Sequence, residues 1–315
     1  MTVSVTIEDV YTAAARIAGA VVTTELRAVR IGDNALWLKC ESAQTGGAFK
    51  LRGASNRLLA MSAAEQARGV VAFSSGNHAQ GVAIAAQRLG MRATIVMPAD
   101  APRIKIEGTR AAGAEVVFFD RATEDRVAIA TALAAQTGAT VVPAFDDPHV
   151  IAGQGTVGLE IIEQLGRSPA RIVVPCAGGG LASGVALACP GAEIVLVEPE
   201  GWDDMAHSLA AGEIIPVGAN PPPTLCDALQ ALRVSPLTLD ILHRRAASTL
   251  IVTDHEVEEA VRWAWREQAL RVEPGGAAGL AAVLAGKVDI EEETVVVLSG
   301  GNIDPAVHAR IIAAG

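Results

Sequence analysis

Short apolar runs alternate with alanine-rich helical segments along this 315-residue chain, and that alternation restricts it to α/β architecture. In the first half, Ala35–Lys39, Val70–Phe73, Ala93–Met97 and Glu115–Phe118 read as strands. Amphipathic stretches around Ala79–Leu89, Ile104–Ala112 and Glu124–Gln136 separate them. A second series follows the Asp146-Asp147-Pro148 turn region. A helix through Thr156–Leu165 leads into strands Arg171–Val174, Ile194–Val197, Leu250–Val252 and Thr294–Leu298. Parallel strands need long crossovers, so the two series predict two lobes, each a mostly parallel sheet flanked by helices. Thr6 with Asp9 and Thr253 with Glu256 mark helix starts, after which Val10, Ala14 and Ile17, or Val257, Val261 and Trp265, share an apolar face.

Composition excludes several function classes. Thirty-five acidic against twenty-five Lys and Arg residues leave a formal charge of −10, with no basic run or aromatic stripe, which argues against nucleic acid as a partner. Cys40, Cys176, Cys189 and Cys226 are far apart and form no Cys-x-x-Cys pair, so neither a zinc site nor a disulfide framework is expected, and a reducing cytoplasm fits. The first residues lack a basic and apolar leader, and no apolar run reaches membrane-spanning length without Gly, Pro or charge.

Four stretches carry chemistry. Thr45-Gly-Gly-Ala48 lets the backbone approach a ligand, and Lys50 follows in what reads as the first turn of a helix. The positive end of that helix disfavours a second positive charge, pushing the amine toward its neutral, nucleophilic form, which can form a Schiff base. Ser74-Ser-Gly-Asn-His-Ala-Gln-Gly81 enters a helix directly after a strand, and its free N–H groups can hold a carboxylate; Ser75 or Asn77 serving only as a helix cap is the competing explanation. Pro175-Cys-Ala-Gly-Gly-Gly-Leu-Ala-Ser-Gly184 clears space for a phosphate at a helix mouth, without the Gly-Lys-Ser/Thr of a Walker loop. Val297-Leu-Ser-Gly-Gly-Asn302 places Ser299 at a strand's C-terminal end, where α/β ligand sites gather.

Taken in order, these stretches resemble the fold-type II pyridoxal-phosphate enzymes, the tryptophan synthase beta-like fold, and within them the threonine/serine dehydratase and serine racemase branch. Ile151-Ala-Gly-Gln-Gly-Thr156, Thr224-Leu-Cys-Asp-Ala228 and Glu273-Pro-Gly-Gly-Ala-Ala278 look like further landmarks of that family. The resemblance implies a large cofactor domain, 1–52 with 148–315, and a small mobile domain, 53–147, that closes over substrate. Gly47-Ala-Phe-Lys-Leu-Arg-Gly-Ala54 would be the Schiff-base motif, with Lys50 holding pyridoxal phosphate and then moving the α-proton, and Phe49 packing beside the ring. Asn77 would contact the cofactor's 3′ oxygen, Ala177, Gly178, Gly179, Gly180 and Leu181 its phosphate, and Ser299 its pyridine nitrogen. Alanine at position 177, where the family often has a fourth glycine, still offers its N–H.

On the same resemblance, Ser74, Ser75, Asn77 and His78 would hold the substrate carboxylate, and Asp227 would lie near the substrate side chain. Ser75 matches the serine that acts as the opposite-face base in the racemase branch. Glu198-Pro-Glu-Gly-Trp-Asp-Asp204 matches the family's divalent-cation spacing, with Glu198, the Trp202 carbonyl and Asp204 as oxygen ligands for Mg²⁺, Ca²⁺ or Mn²⁺. The implied reaction is loss of water from a β-hydroxy amino acid, L-threonine or L-serine, giving a 2-oxo acid and ammonia. Serine racemisation and 3-hydroxyaspartate dehydration are the alternatives, followed by β-replacement as in cysteine synthase and by a non-catalytic amino-acid sensor. Homodimers are the family habit, and with only a short stretch after Asn302 the C-terminal regulatory domain of biosynthetic threonine dehydratases is not expected.

Overall fold

The computed structural model describes residues 4–74, 76–291 and 293–314. Its strands are β1 (Leu26–Ile31), β2 (Asn34–Lys39), β3 (Val70–Phe73), β4 (Ala93–Pro98), β5 (Glu115–Phe119), β6 (Thr140–Val141), β7 (Arg171–Pro175), β8 (Glu193–Pro199), β9 (Ser248–Val252) and β10 (Thr294–Val297). They form a six-stranded sheet in the order β1-β2-β10-β7-β8-β9 and a four-stranded sheet in the order β5-β4-β3-β6. Every pairing is parallel except β1 with β2. The expected two-lobed α/β architecture is therefore present, and all strands that precede the motif loops point their C-terminal ends to one edge of their sheet.

The central strands read as unbroken apolar runs because both faces are covered. Val295, Val296 and Val297 of β10 and Ile172, Val173 and Val174 of β7 are fully buried, divided between two apolar clusters on opposite faces of the large sheet. A third and a fourth cluster sandwich the small sheet. Both capping boxes expected from sequence are formed, at Thr6 and at Thr253.

Two elements depart from the sequence reading. Strand β1 was not expected; it is an edge strand with Arg27 and Arg30 along it, and among its residues only Val29 is buried. The helix expected from Thr156 begins instead at Pro148, with Asp147 as its N-cap. Gly153, Gly155 and Gly158 weaken the local helical signal, at about 1 kcal/mol each relative to alanine. Packing requires them: a Cβ at Gly153 would stand 2.7 Å from the Arg52 carbonyl oxygen, and one at Gly155 2.8 Å from that of Gly184. Among the described residues no helix is long and apolar enough to cross a membrane. All four cysteines are free and buried.

Candidate active site

Lys50 is the first residue of the helix Lys50–Leu59, as expected. Its Nζ donates to the Ala144 carbonyl at 2.9 Å and sits 4.9 Å from the centre of the Phe49 ring. Burial pushes its amine down to about 8. The low value thus comes from desolvation, where the sequence suggested the helix terminus. The loop carrying Lys50 is stitched to the end of β10: Phe49 N–H donates to the Ser299 carbonyl at 3.1 Å, and Gly301 N–H to the Gly47 carbonyl at 2.8 Å. Ser299, 7% exposed, is thereby held beside Lys50.

After β3 the chain turns at Ser74, whose Oγ accepts from Gly76 N–H at 3.1 Å, and enters the helix Asn77–Arg88. The amides of Asn77 and His78 find no backbone acceptor among the described residues, an arrangement suited to an anion. Ser75, the candidate second base, lies outside the described residues. His78 is buried and bonds the Val142 carbonyl through Nε2 at 2.9 Å. Burial and the nearby Lys50 depress it to about 3, so it stays neutral and positions the turn.

Asn77 is the polar hinge of the site. Its Nδ2 donates to Glu273 Oε1 at 2.5 Å, and its Oδ1 accepts from Asn302 Nδ2 at 2.9 Å. Those two bonds fix which end of the amide points where. A Cβ at Gly300 would collide with Glu273 Oε1 and approach Asn77 Nδ2, so only glycine leaves this space open.

The glycine loop joins β7 to the helix Gly180–Ala188. Phe145 packs against Gly178 and Gly180, and its neighbour Ala144 holds Lys50, so the 144–145 segment ties the lysine to the loop. Gly179, at φ 84°, turns the chain into the helix. The amides of Ala177, Gly178, Gly180 and Leu181 donate to no backbone carbonyl among the described residues. A carbonyl group that reacts with an amine, joined to a phosphate, fits this donor set: Lys50 for one end and the free amides for the other.

Behind the loop lie the candidate metal ligands. Glu198, at the end of β8, accepts from Met205 N–H at 3.1 Å and Ala206 N–H at 2.8 Å. Met205 in turn packs against Gly179, so this corner supports the glycine loop. Asp204 is 2% exposed, and neither of its carboxylate oxygens makes a well-formed hydrogen bond among the described residues. Burial pushes Glu198 up to about 8 and Asp204 up to about 7. Trp202 is buried beside them, its indole N–H donating to the Pro222 carbonyl. No group of three or more His, Cys, Asp or Glu side chains suited to a metal occurs among the described residues. The expected set has only two carboxylates, with a main-chain carbonyl as the third ligand, and two desolvated carboxylates without a cation fit a hard divalent ion.

Asp227, expected near the substrate side chain, is engaged by a lysine: its Oδ2 accepts from Lys105 Nζ at 2.5 Å. Lys105, Ala144, Phe145 and Gln80, which accepts from Asn302 Nδ2 at 3.0 Å, contact the candidate residues and are not singled out by the sequence. One signal was available for Lys105. It stands between Ile104 and Ile106, four residues before the equally buried Thr109, on the face of its helix that turns inward.

The pattern of the pyridoxal-phosphate dependent enzymes matches residues 18–300. The L-threo-3-hydroxyaspartate ammonia-lyase of Pseudomonas sp is 41% identical over 313 residues, covering 96% of this chain and 97% of that protein. Its namesake in Saccharomyces cerevisiae is 39% identical over 297 residues, covering 93% and 90%. Among solved structures, maize serine racemase superposes with a TM-score of 0.92 at 36% identity, over 99% of this chain and 98% of that one. On this agreement of pattern, sequence and fold, the chain belongs to the pyridoxal-phosphate dependent enzyme family.

Proposed function

We propose that the protein removes water from a β-hydroxy amino acid, L-serine, L-threonine or L-threo-3-hydroxyaspartate, releasing a 2-oxo acid and ammonia. The observation that carries this reading is the enclosed Lys50 amine, held on the Ala144 carbonyl, brought down to about 8, with no ion pair among the described residues, and next to Phe49, whose N–H donates to the Ser299 carbonyl. Bound pyridoxal phosphate supplies the electron sink that makes the α-proton labile. Lys50 would hold that group through its amine, and the same amine, when free, would take the α-proton. The amides of Asn77 and His78 orient the substrate carboxylate, and those of Gly178 and Gly180 hold the phosphate. Ser299 would present a neutral hydroxyl to the cofactor's ring nitrogen, and a hydroxyl, unlike a carboxylate, would not favour a protonated ring, which suits prompt loss of a β-substituent. Residues 53–147 close over the substrate, and Asp227 keeps one carboxylate oxygen for its β-hydroxyl.

Arg126 favours 3-hydroxyaspartate among these substrates. It is half-buried over the Phe73 ring, 5.9 Å from its centre, just before the carboxylate loop. It makes no hydrogen bond or ion pair among the described residues, leaving a cation for a second carboxylate. Glu198, the Trp202 carbonyl and Asp204 hold a divalent cation that steadies the glycine loop. The reading includes a homodimer in a reducing cytoplasm; the four buried thiols support the compartment, and sedimentation tests the assembly.

The test incubates purified protein with pyridoxal phosphate, Mg²⁺ and each substrate separately, following 2-oxo acid and D-isomer together. Oxo acid from at least one, lost in Lys50→Ala, is expected; silence with all three despite bound cofactor sinks the dehydratase reading. Ser75→Ala separates the two activities: D-isomer formation disappears and elimination persists if Ser75 is the second base, whereas equal loss of both removes that role.

A further inference from the structure

A buried lysine of the smaller lobe, to which the proposed chemistry gives no role, sits in a charge cluster with two carboxylates. Lys105 belongs to the helix Arg103–Ala111 and is 2% exposed. Its Nζ donates to Asp227 Oδ2 at 2.5 Å and lies 3.4 Å from Glu273 Oε2. Both carboxylates come from the other half of the chain, Asp227 in the turn Asp227–Leu229 and Glu273 at the start of the helix Pro274–Leu284. Gly76 lies against the same amine, with room for a Cβ only at 3.4 Å from Nζ. Lys105 therefore reaches past the substrate loop to join the two lobes.

Glu273 carries the effect to the cofactor side. One of its oxygens accepts from Asn77 and the other faces Lys105. An amide nitrogen has two N–H bonds; Glu273 takes one, and the orientation fixed by Asn302 leaves the second to be aimed at a ligand oxygen. Burial raises Glu273, and Lys105 is the cation that opposes this. Without Lys105 the carboxylate would be left in a dry site with Asp227 as a like-charged neighbour, and it would protonate or shift. Lys105 itself is a poor receptor for a second substrate carboxylate, since two carboxylates already face it.

We propose that Lys105 is a positioning residue, latching the smaller lobe onto Asp227 and Glu273 and thereby holding Asn77 in register with the cofactor. The kinetic part of this idea rests on the function proposed above; the latch itself does not.

The experiment compares wild-type holoenzyme with Lys105→Met, Lys105→Arg and Asp227→Asn. It measures limited proteolysis within residues 53–147 with and without L-serine, the absorbance spectrum of the bound cofactor, and kcat/KM. In Lys105→Met, cleavage quickens even without substrate, the cofactor band shifts, and kcat/KM falls about thirtyfold or more. Lys105→Arg recovers the band and most of the protection. A folded Lys105→Met with wild-type proteolysis and spectrum overturns the proposal, as does Lys105→Arg behaving like Lys105→Met while Asp227→Asn matches wild type. Should Lys105→Met fail to fold, unchanged proteolysis in Asp227→Asn overturns it and faster cleavage supports it. Altered proteolysis and spectrum in a protein that turns over no hydroxy amino acid would refute the dehydratase reading and leave the latch standing.

Discussion

Two buried carboxylate regions of this molecule have opposite electrostatics. Beneath the Lys50 helix, Arg52 donates to Glu41 Oε1 and Oε2, each at 2.8 Å, and to Glu160 Oε1 at 2.6 Å, while Lys39 donates to Glu160 Oε2 at 2.6 Å. Burial works against the Glu160 charge, yet bonds from Arg52 and Lys39 bring that carboxyl below its ordinary value. At the Glu198–Asp204 corner burial meets no cation, and both carboxyls rise. The first cluster pairs each carboxylate with a cation; the second has none beside it among the described residues. Lys50 is the converse case, an amine without an anion. Charge balance thus separates the interior that holds the fold from the groups for which a ligand is proposed.

Arg52→Met should break the comparison most severely. It leaves Glu41, fully buried, without its guanidinium, and loss of one partner from a buried pair costs about 3–5 kcal/mol. Urea denaturation measures this; a change below about 1 kcal/mol would mean that the cluster is solvated or dispensable.

Next in size is the response of Lys50 to pH. Only the neutral amine attacks an aldehyde, and its value of about 8 leaves roughly one part in a hundred neutral at pH 6 and most of it neutral at pH 9. Capture of pyridoxal phosphate by the apoprotein, followed by absorbance, should therefore accelerate about a hundredfold over that range and level off above it. A rise continuing to pH 10 would show an ordinary, solvated lysine.

The contrast also explains what the sequence disclosed. Local chemistry was legible: Gly178 to Gly180 after an apolar strand, Asn77 opening a helix and Lys50 after two glycines each announce themselves over a few residues. Strand β3 and the capping box at Thr253 follow from the same short-range rules. What could not be read was pairing at a distance. Lys105 and Asp227 are 122 positions apart, and Arg52 and Glu160 are 108, so no spacing relates them. The start of the Pro148 helix was hidden for a similar reason, because its glycines answer to Arg52 and Gly184 on other helices. Even the cause of the low Lys50 value was misjudged, since desolvation depends on what the rest of the chain places over the amine.

Supplying a cation should make the deficient corner resemble the complete one. Between the ordinary carboxyl value of 4.5 and about 8, folded Glu198 holds a proton that the unfolded chain releases, so its contribution to stability falls as pH rises. On the proposed reading, Mg²⁺ would replace that proton. At a hundredfold excess over its dissociation constant it should raise Tm by about 5 °C at pH 8, and by less at pH 6, where it must compete with protons. An equal shift at both values, or none at either, would detach metal from these carboxylates.

Glu198→Gln tests the same corner with the smallest expected change. Glutamine keeps the shape and one acceptor, so the bond from Met205 or Ala206 survives, but its NH₂ then faces the other donor. Removing a charge that burial disfavours offsets the lost hydrogen bond, and net stability at neutral pH should stay within about 1 kcal/mol of wild type. The informative quantity is the slope. In wild-type protein without metal, Tm should decline from pH 5.5 to pH 8; in Glu198→Gln most of that decline should vanish together with the Mg²⁺ response, leaving only the part due to Asp204. Retention of both in the variant would move the titrating group, and the cation with it, away from this corner. Loss of the Mg²⁺ response with an unchanged slope would keep Glu198 as a ligand and assign the proton to Asp204.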